Sequence, residues 1–329
     1  MSTQPRILVA TEETAFLVEA GDGEMTPGRG LEKRLPSALA WDPRVEGRAW
    51  VGTTDDGVFR SEDGGISWHP SGLQGGRIMS VSASPAEEGL IWAGTEPSAV
   101  WRSEDGGESW EEATGLQDLP SAEEWSFPPR PETHHVRWIA CHPYDPHRLW
   151  VAVEAGALVT TEDGGEGWQD RVPGSPRDTH ELAIHPDRPL DLRVSAGDGY
   201  FESHDGGENW IQPMEGLEVS YMRSVAVDPK DPHRVVASGA SEPRTAYVAG
   251  RSDGRLYRKT HGGVWERVLN GWPEPPDVIA PLLRPGGAEE DLWAADERGI
   301  HRSDDGGRTW SQVSGFPSRP QHLRGFSLV

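Results

Sequence analysis

The sequence predicts an all-β fold, a seven-bladed β-propeller of four-stranded blades. Three observations predict it. First, an eight-residue unit recurs along the 329-residue chain at 61–68, 103–110, 161–168, 203–210 and 303–310, and a damaged copy ends at Trp265. Second, a proline turn precedes each copy, at Pro43, Pro85, Pro143, Pro186, Pro229 and Pro285, and proline-to-tryptophan spacings are 25, 25, 25, 24, 36 and 25 residues. Third, Gly 40 and Pro 28 with only 35% hydrophobic residues demand many turns and argue against a helical protein. Repeats of about 40–45 residues holding four short strands are the mark of propeller blades.

The elements follow in order. The fourth unit shows the pattern: HVRWIACHP, RLWVAVE, ALVTTED and WQDRV are four short strands separated by turns. Its second strand recurs elsewhere as RAWVGT, LIWAGT, LRVSAG, RVVASG and LWAADE. The first 35 residues hold a partial unit (ILVATE, TAFLVEA, GLEKRLP) that lacks a first strand. The last residues, HLRGFSLV, read as a first strand with nothing after it. The C-terminal strand is therefore expected to complete the N-terminal blade, closing the ring and removing free sheet edges. The expected blades are 1–35 with 320–329, then 36–72, 77–115, 134–173, 178–216, 221–270 and 277–316, all in one domain.

Charge narrows the function classes. Lys+Arg 31 against Asp+Glu 54 gives −23. Such a net charge argues against a protein that tracks nucleic-acid phosphates or docks on anionic membranes, and leaves room for a local basic patch. Cys141 is the one cysteine, so no intramolecular disulfide forms. The N-terminal residues lack a basic stretch followed by a long apolar core, and no apolar run approaches the ~20 residues of a membrane span. The expectation is a cytoplasmic protein with no nucleic-acid or membrane partner.

The repeated unit, S-x-D-G-G-x-x-W, resembles the Asp box, or BNR repeat. That repeat occurs in sialidases, in sorting-receptor propellers and in photosystem assembly factors of the Ycf48 type. The resemblance covers nearly the whole chain. It implies a propeller and leaves activity open, because one fold hosts many functions. The residues themselves read as fold punctuation. Asp63, Asp105, Asp163, Asp205 and Asp305 can accept backbone N–H bonds and pin the turn, the glycines supply conformations a Cβ forbids, and the tryptophans bury apolar area. Identical acids on five separate blades do not converge on one reaction centre.

Function is expected where the repeats differ. In propellers the loop entering each innermost strand opens on one face around the axis. Alignment on the proline turns isolates two positions there. The outer set is Leu35, Arg77, His135, Asp178, Tyr221, Asp277 and His322, and the inner set is Ser37, Met79, Arg137, His180, Arg223, Ile279 and Arg324. Arg77, Arg137, Arg223 and Arg324 form a cationic cluster in an acidic chain. Paired with Glu12, Asp55, Glu96, Glu154 and Asp198 they are structural; left free they suit carboxylate or phosphate through paired hydrogen bonds. A one-residue slip in register turns the same side chains into the blade interface.

Two insertions overhang this face. Residues 115–133 bring Trp125 and Phe127, which offer a ligand an apolar surface or pack on their own rim. Residues 240–254 bring Arg244, Tyr247 and Arg251. His134, His135, His180 and His322 also gather near the mouth. Four imidazoles on a propeller axis hold iron in carotenoid oxygenases, but those proteins lack the Asp box, and no metal-ligand spacing motif occurs here. Hydrogen-bonded histidines beside acids are the preferred reading, and no metal or cofactor is assigned.

The sialidase comparison breaks at its motif: Arg6-Ile7 is followed by Leu8 where the family has proline. No nucleophile elbow, P-loop or dinucleotide fingerprint is present. The expectation is a non-enzymatic propeller that takes an anionic small molecule, peptide or partner protein at an Arg/His/aromatic mouth. Its expected binding residues are Arg77, Trp125, His135, Arg137, Asp178, His180, Tyr221, Arg223, His322 and Arg324. The enzymatic alternative is a sialidase-like glycoside hydrolase or a lyase on a glycan or carboxylated metabolite, with His135, His180 and Tyr221 as candidate catalytic groups.

Overall fold

The computed structural model describes residues 5–19, 23–274, 276–287 and 291–328. Seven antiparallel sheets form a ring of blades. The innermost strands, in blade order, are Leu323–Leu328, Pro36–Trp41, Arg77–Ala83, Val136–Cys141, Thr179–His185, Tyr221–Asp228 and Leu282–Pro285. Each contacts the next, and Leu282–Pro285 returns against Leu323–Leu328. Closure is as the termini imply. The C-terminal strand pairs with Arg6–Thr11, Val9 opposite Phe326, and Ala15–Glu19 and Met25–Pro27 complete that blade. In blades 4 and 5 the fourth strand shrinks to single bridges, Thr160 with Gln169 and Glu202 with Ile211. Pro213, two residues after Ile211, has no N–H with which to extend the second ladder.

The recurrent turns behave as structural pins. Ser61 Oγ donates to Asp63 Oδ1 at 2.8 Å and accepts from Gly65 N–H, while Ser67 N–H returns to Asp63 Oδ1 at 2.8 Å. Gly64 and Gly65 sit at φ 80 and 89, where a side chain is strained. Bonds from Asn209, then from Ser203 and Glu208 N–H, hold the Asp205 carboxyl at about 2. The second-strand tryptophans Trp50, Trp92, Trp150 and Trp293 are 0–1% exposed. Trp50 and Trp150 donate to Gly106 and Gly206 carbonyls of the following blade at 3.1 and 2.8 Å. Indoles thus bridge the blade gaps and replace part of the missing aliphatic core.

One local feature sets the mouth. Six innermost strands carry a β-bulge near the same end, and the unpaired residues are Ser37, Met79, Arg137, His180, Arg223 and Arg324. A bulge inserts one residue that opposes nothing and re-aims its side chain. All six line the central channel. The register question left open by the sequence is answered by this extra residue, which points six of the seven inner-set residues at the axis.

Candidate functional site

The channel holds a cavity of about 210 Å³, and at one end it widens into a mouth of about 350 Å³. Ser37, Met79, Arg137, Arg223 and Arg324 line both. Arg77, Phe127, Arg130, His135, Glu154 and Tyr247 complete the mouth, and His180, Glu181 and Arg284 lie in the channel.

The arginines divide into three kinds. Arg77 is paired: its Nε lies 3.3 Å from Glu96, which also accepts Arg130 through Nε and Nη2 at 2.9 and 2.7 Å. Burial raises the Glu96 carboxyl, and the Arg130 and Arg77 charges outweigh that and lower it. Arg137 is half-paired, with Nε 3.5 Å from Glu154 and no hydrogen bond on that buried nitrogen. Arg223 is a strut. It is 1% exposed and donates to the carbonyls of Ala246, Ala280 and Leu323 at 3.1, 2.6 and 3.0 Å, with its guanidinium 4.5 Å over the Tyr247 ring. Burial, then the charges of Arg137 and Arg324, brings it down to about 10. Arg324 is exposed, and among the described residues it makes no hydrogen bond or ion pair. Glu12 directs its carboxylate to the N–H groups of Gln321 and His322 at 2.7 and 3.0 Å.

A second network sits beside this ring. His135 Nε2 meets Glu154 Oε2 at 2.7 Å. Burial raises the Glu154 carboxyl, but the His135 bond and the Arg137 and His180 charges prevail and hold it at about 2. His180 donates Nδ1–H to Met222 O at 2.6 Å, because a carbonyl only accepts. Its Nε2 then faces Tyr221 Oη at 3.2 Å, Glu154 at 3.7 Å and Asp178 at 3.8 Å. Glu154, Asp178 and His180 are near enough to share a cation, their ligand atoms lying within 4.8 Å of one another. Burial, reinforced by neighbouring Glu154, raises the Asp178 carboxyl. In the channel, burial raises Glu181 against the opposing pull of Arg284 and Ser224.

The structure redistributes several expected site residues. Arg77, His135, Arg137, His180, Arg223 and Arg324 line the mouth or channel. Trp125 does not: it is 5% exposed, packs in the core between blades 3 and 4, and donates Nε1–H to Ser121 at 3.0 Å. Its neighbour Phe127 faces the mouth instead, edge-on to His135 at 4.8 Å. Tyr221 is buried behind the wall, and burial with Tyr247 beside it pushes its hydroxyl far above the usual range. Asp178 stands behind His180, and His322 turns its Nδ1 to Tyr247 O at 3.0 Å. Ile279, aligned with the inner set, is fully buried, and Leu282 takes the lining role because blade 7 has no bulge. The insertion at 240–254 folds into the helix Pro243–Tyr247, which carries Tyr247 to the mouth. Sequence reasoning missed Arg130, Glu181 and Arg284. Glu181 follows the bulged His180, so two successive residues reach the channel, which an alternation rule forbids.

Fold and site together define a seven-bladed β-propeller with a polar, partly cationic mouth. No protein-family model matches the chain, and no curated protein does. Solved structures do resemble it. The GH74 xyloglucanase from Xanthomonas campestris aligns over 99% of this chain and 52% of its own, at 17% identity and TM-score 0.71. A structure of YCF48 bound to D1 peptide aligns over 95% and 85%, at 18% identity and TM-score 0.61. YCF48 from Cyanidioschyzon merolae aligns over 88% and 87%, at 16% identity and TM-score 0.61. The chain spans about half the length of the xyloglucanase. These likenesses establish the propeller fold, which serves an enzyme in one case and a peptide binder in another.

Proposed function

We propose that this propeller is a non-enzymatic binding module of the Asp-box kind that takes a peptide segment of a partner protein at the channel mouth. The segment places a carboxylate between Arg324 and Arg137 and lays apolar side chains on Phe127, Leu35 and Met79. The observation that carries this reading is Arg324: a guanidinium on the bulge ring that makes no hydrogen bond or ion pair among the described residues, beside Arg137 with an unbonded Nε. Guanidinium groups bind carboxylates through two parallel bonds. Leu35 is 48% exposed at the rim, so the cations are flanked by apolar surface. The mouth, at about 350 Å³, falls within the size range of ligand sites. The resemblance to YCF48 bound to a peptide is in keeping with such a partner.

Titration calorimetry with hexaglutamate and hexaglutamine tests it. Hexaglutamate is expected to bind one to one and more weakly as salt rises, and Arg324→Met is expected to lower its affinity by about tenfold, the loss of one charge-assisted bond pair. Equal binding of the two peptides, or no effect of Arg324→Met, overturns the proposal.

A further inference from the structure

The blades depart from their common plan most strongly between blades 5 and 6. In blades 2, 3, 4 and 7 the second strand carries a buried tryptophan opposite residues 40, 82, 140 and 284. The same place in blade 5, opposite Ala183, holds Arg193. The turn that should close on it, in blade 6, is the damaged copy 259–265. There Lys259 replaces the serine, His261 replaces the aspartate, and one residue before Trp265 is missing. All three groups that pin the other turns are gone.

The consequence is a slot. Elsewhere the second turn glycine presses on the preceding blade: a Cβ on Gly107 would meet Trp50, and one on Gly165 would meet Trp92. A Cβ on Gly262 meets nothing within 4 Å, and one on Gly263 meets only Thr260 of its own turn. The turn therefore stands away from blade 5 and leaves a cavity of about 530 Å³, lined by Arg188, Arg193, Lys259, His204, His233 and His261 with Asp191 and Glu202. Three permanent cations and three imidazoles face two carboxylates, in a chain of net charge −23.

Arg193 is the built part of this slot. It is 4% exposed, yet its bonds are long and local, to Leu192 O at 3.3 Å and Asp191 Oδ2 at 3.5 Å, and its buried Nε has no partner. Unmet donors on a buried guanidinium are costly unless an anion satisfies them. Lys259 donates to Glu202 at 3.1 Å and keeps two further N–H groups for the slot. Nitrogen donors reach the cavity from both blades. That arrangement suits a tetrahedral oxyanion, which accepts from several directions, better than a planar carboxylate served by one fork.

We propose that the slot between blades 5 and 6 binds a phosphate monoester, its phosphoryl group held by Arg193 and Lys259 and its organic part lying along exposed Ile211. The site is independent of the channel mouth. The experiment is calorimetric and phosphorus NMR titration of the full chain with inorganic phosphate, O-phosphoserine and glutamate. O-phosphoserine is expected to bind one to one and at least about tenfold tighter than glutamate, by the extra charge-assisted bonds. Inorganic phosphate is expected to bind more weakly than the monoester, because the organic part contributes, and equal binding of the two overturns the assignment to a monoester. Arg193→Trp restores the residue of the other blades and fills the slot, and Lys259→Ser restores the turn serine. Both are expected to keep a cooperative thermal transition and to abolish phosphoserine binding. No binding at about 10 mM, a dissociation constant worth under ~3 kcal/mol, overturns the assignment. So does a folded variant of either kind that binds as the parent does.

Discussion

Arg223 and Arg324 occupy equivalent bulge positions yet are expected to fail in opposite ways when changed to methionine. Arg223 ties three segments together: the helix Pro243–Tyr247 through Ala246, the entry to blade 7 through Ala280, and the C-terminal strand through Leu323. Its removal leaves three carbonyls inside the protein without this donor. A bond from a charged group contributes about 1.5–3 kcal/mol, and the lost desolvation penalty of the guanidinium offsets part of the sum. A net loss of about 3 kcal/mol follows, which lowers Tm by roughly 4 °C in a chain of 329 residues. Arg324 makes no such bonds, so Arg324→Met is expected to change stability by less than about 0.5 kcal/mol while weakening hexaglutamate. Differential scanning calorimetry and peptide titration on both variants separate the roles. Unchanged Tm in Arg223→Met, or a Tm loss in Arg324→Met matching that expected for Arg223→Met, refutes the division of the ring into strut and ligand group.

Four further outcomes follow from the same geometry. Glu154 titrates at about 2 in the fold against 4.5 for a free carboxyl, so its contribution is complete above pH 4.5 and lost as pH falls toward 2. Glu154→Gln is expected to flatten that acid limb in pH-dependent urea unfolding. Trp125→Ala is expected to cost about 3–5 kcal/mol by opening a cavity in the core and to change hexaglutamate affinity only through unfolding. Phe127→Ala is expected to show the reverse, weaker peptide binding with Tm retained, by the same two assays. Elemental analysis of tag-free protein is expected to find substoichiometric metal, because the Glu154 carboxylate is already engaged by the His135 hydrogen bond and the Arg137 charge.

The fold was legible because its determinants are local and repeated. The turn Ser61–Trp68 and its copies carry their own hydrogen bonds, so the residue pattern and the structure coincide. Closure was legible from what the terminal blade lacked. The site was half legible. Alignment on the proline turns found Arg137, His180, Arg223 and Arg324, but which way they face depends on a bulge, and a bulge has no residue signature here: Ser37 and Met79 occupy it as readily as arginine. Partner choice was not legible either. Arg223 and Arg324 look identical in sequence, and only the approach of Ala246, Ala280 and Leu323 separates them. Trp125 and Phe127 show the same limit. They lie two residues apart in one proline-flanked loop, and the packing of Gly156 against the indole draws one inward and leaves the other at the mouth.

The central claim is that the bulge ring holds a carboxylate-bearing peptide. A crystal structure with hexaglutamate tests it most directly. The account predicts peptide density in the mouth, with a carboxylate bridging Arg324 and Arg137 and Arg223 still bonded to its three carbonyls. Peptide bound only on the outer blade surfaces, with those two guanidinium groups untouched, contradicts it.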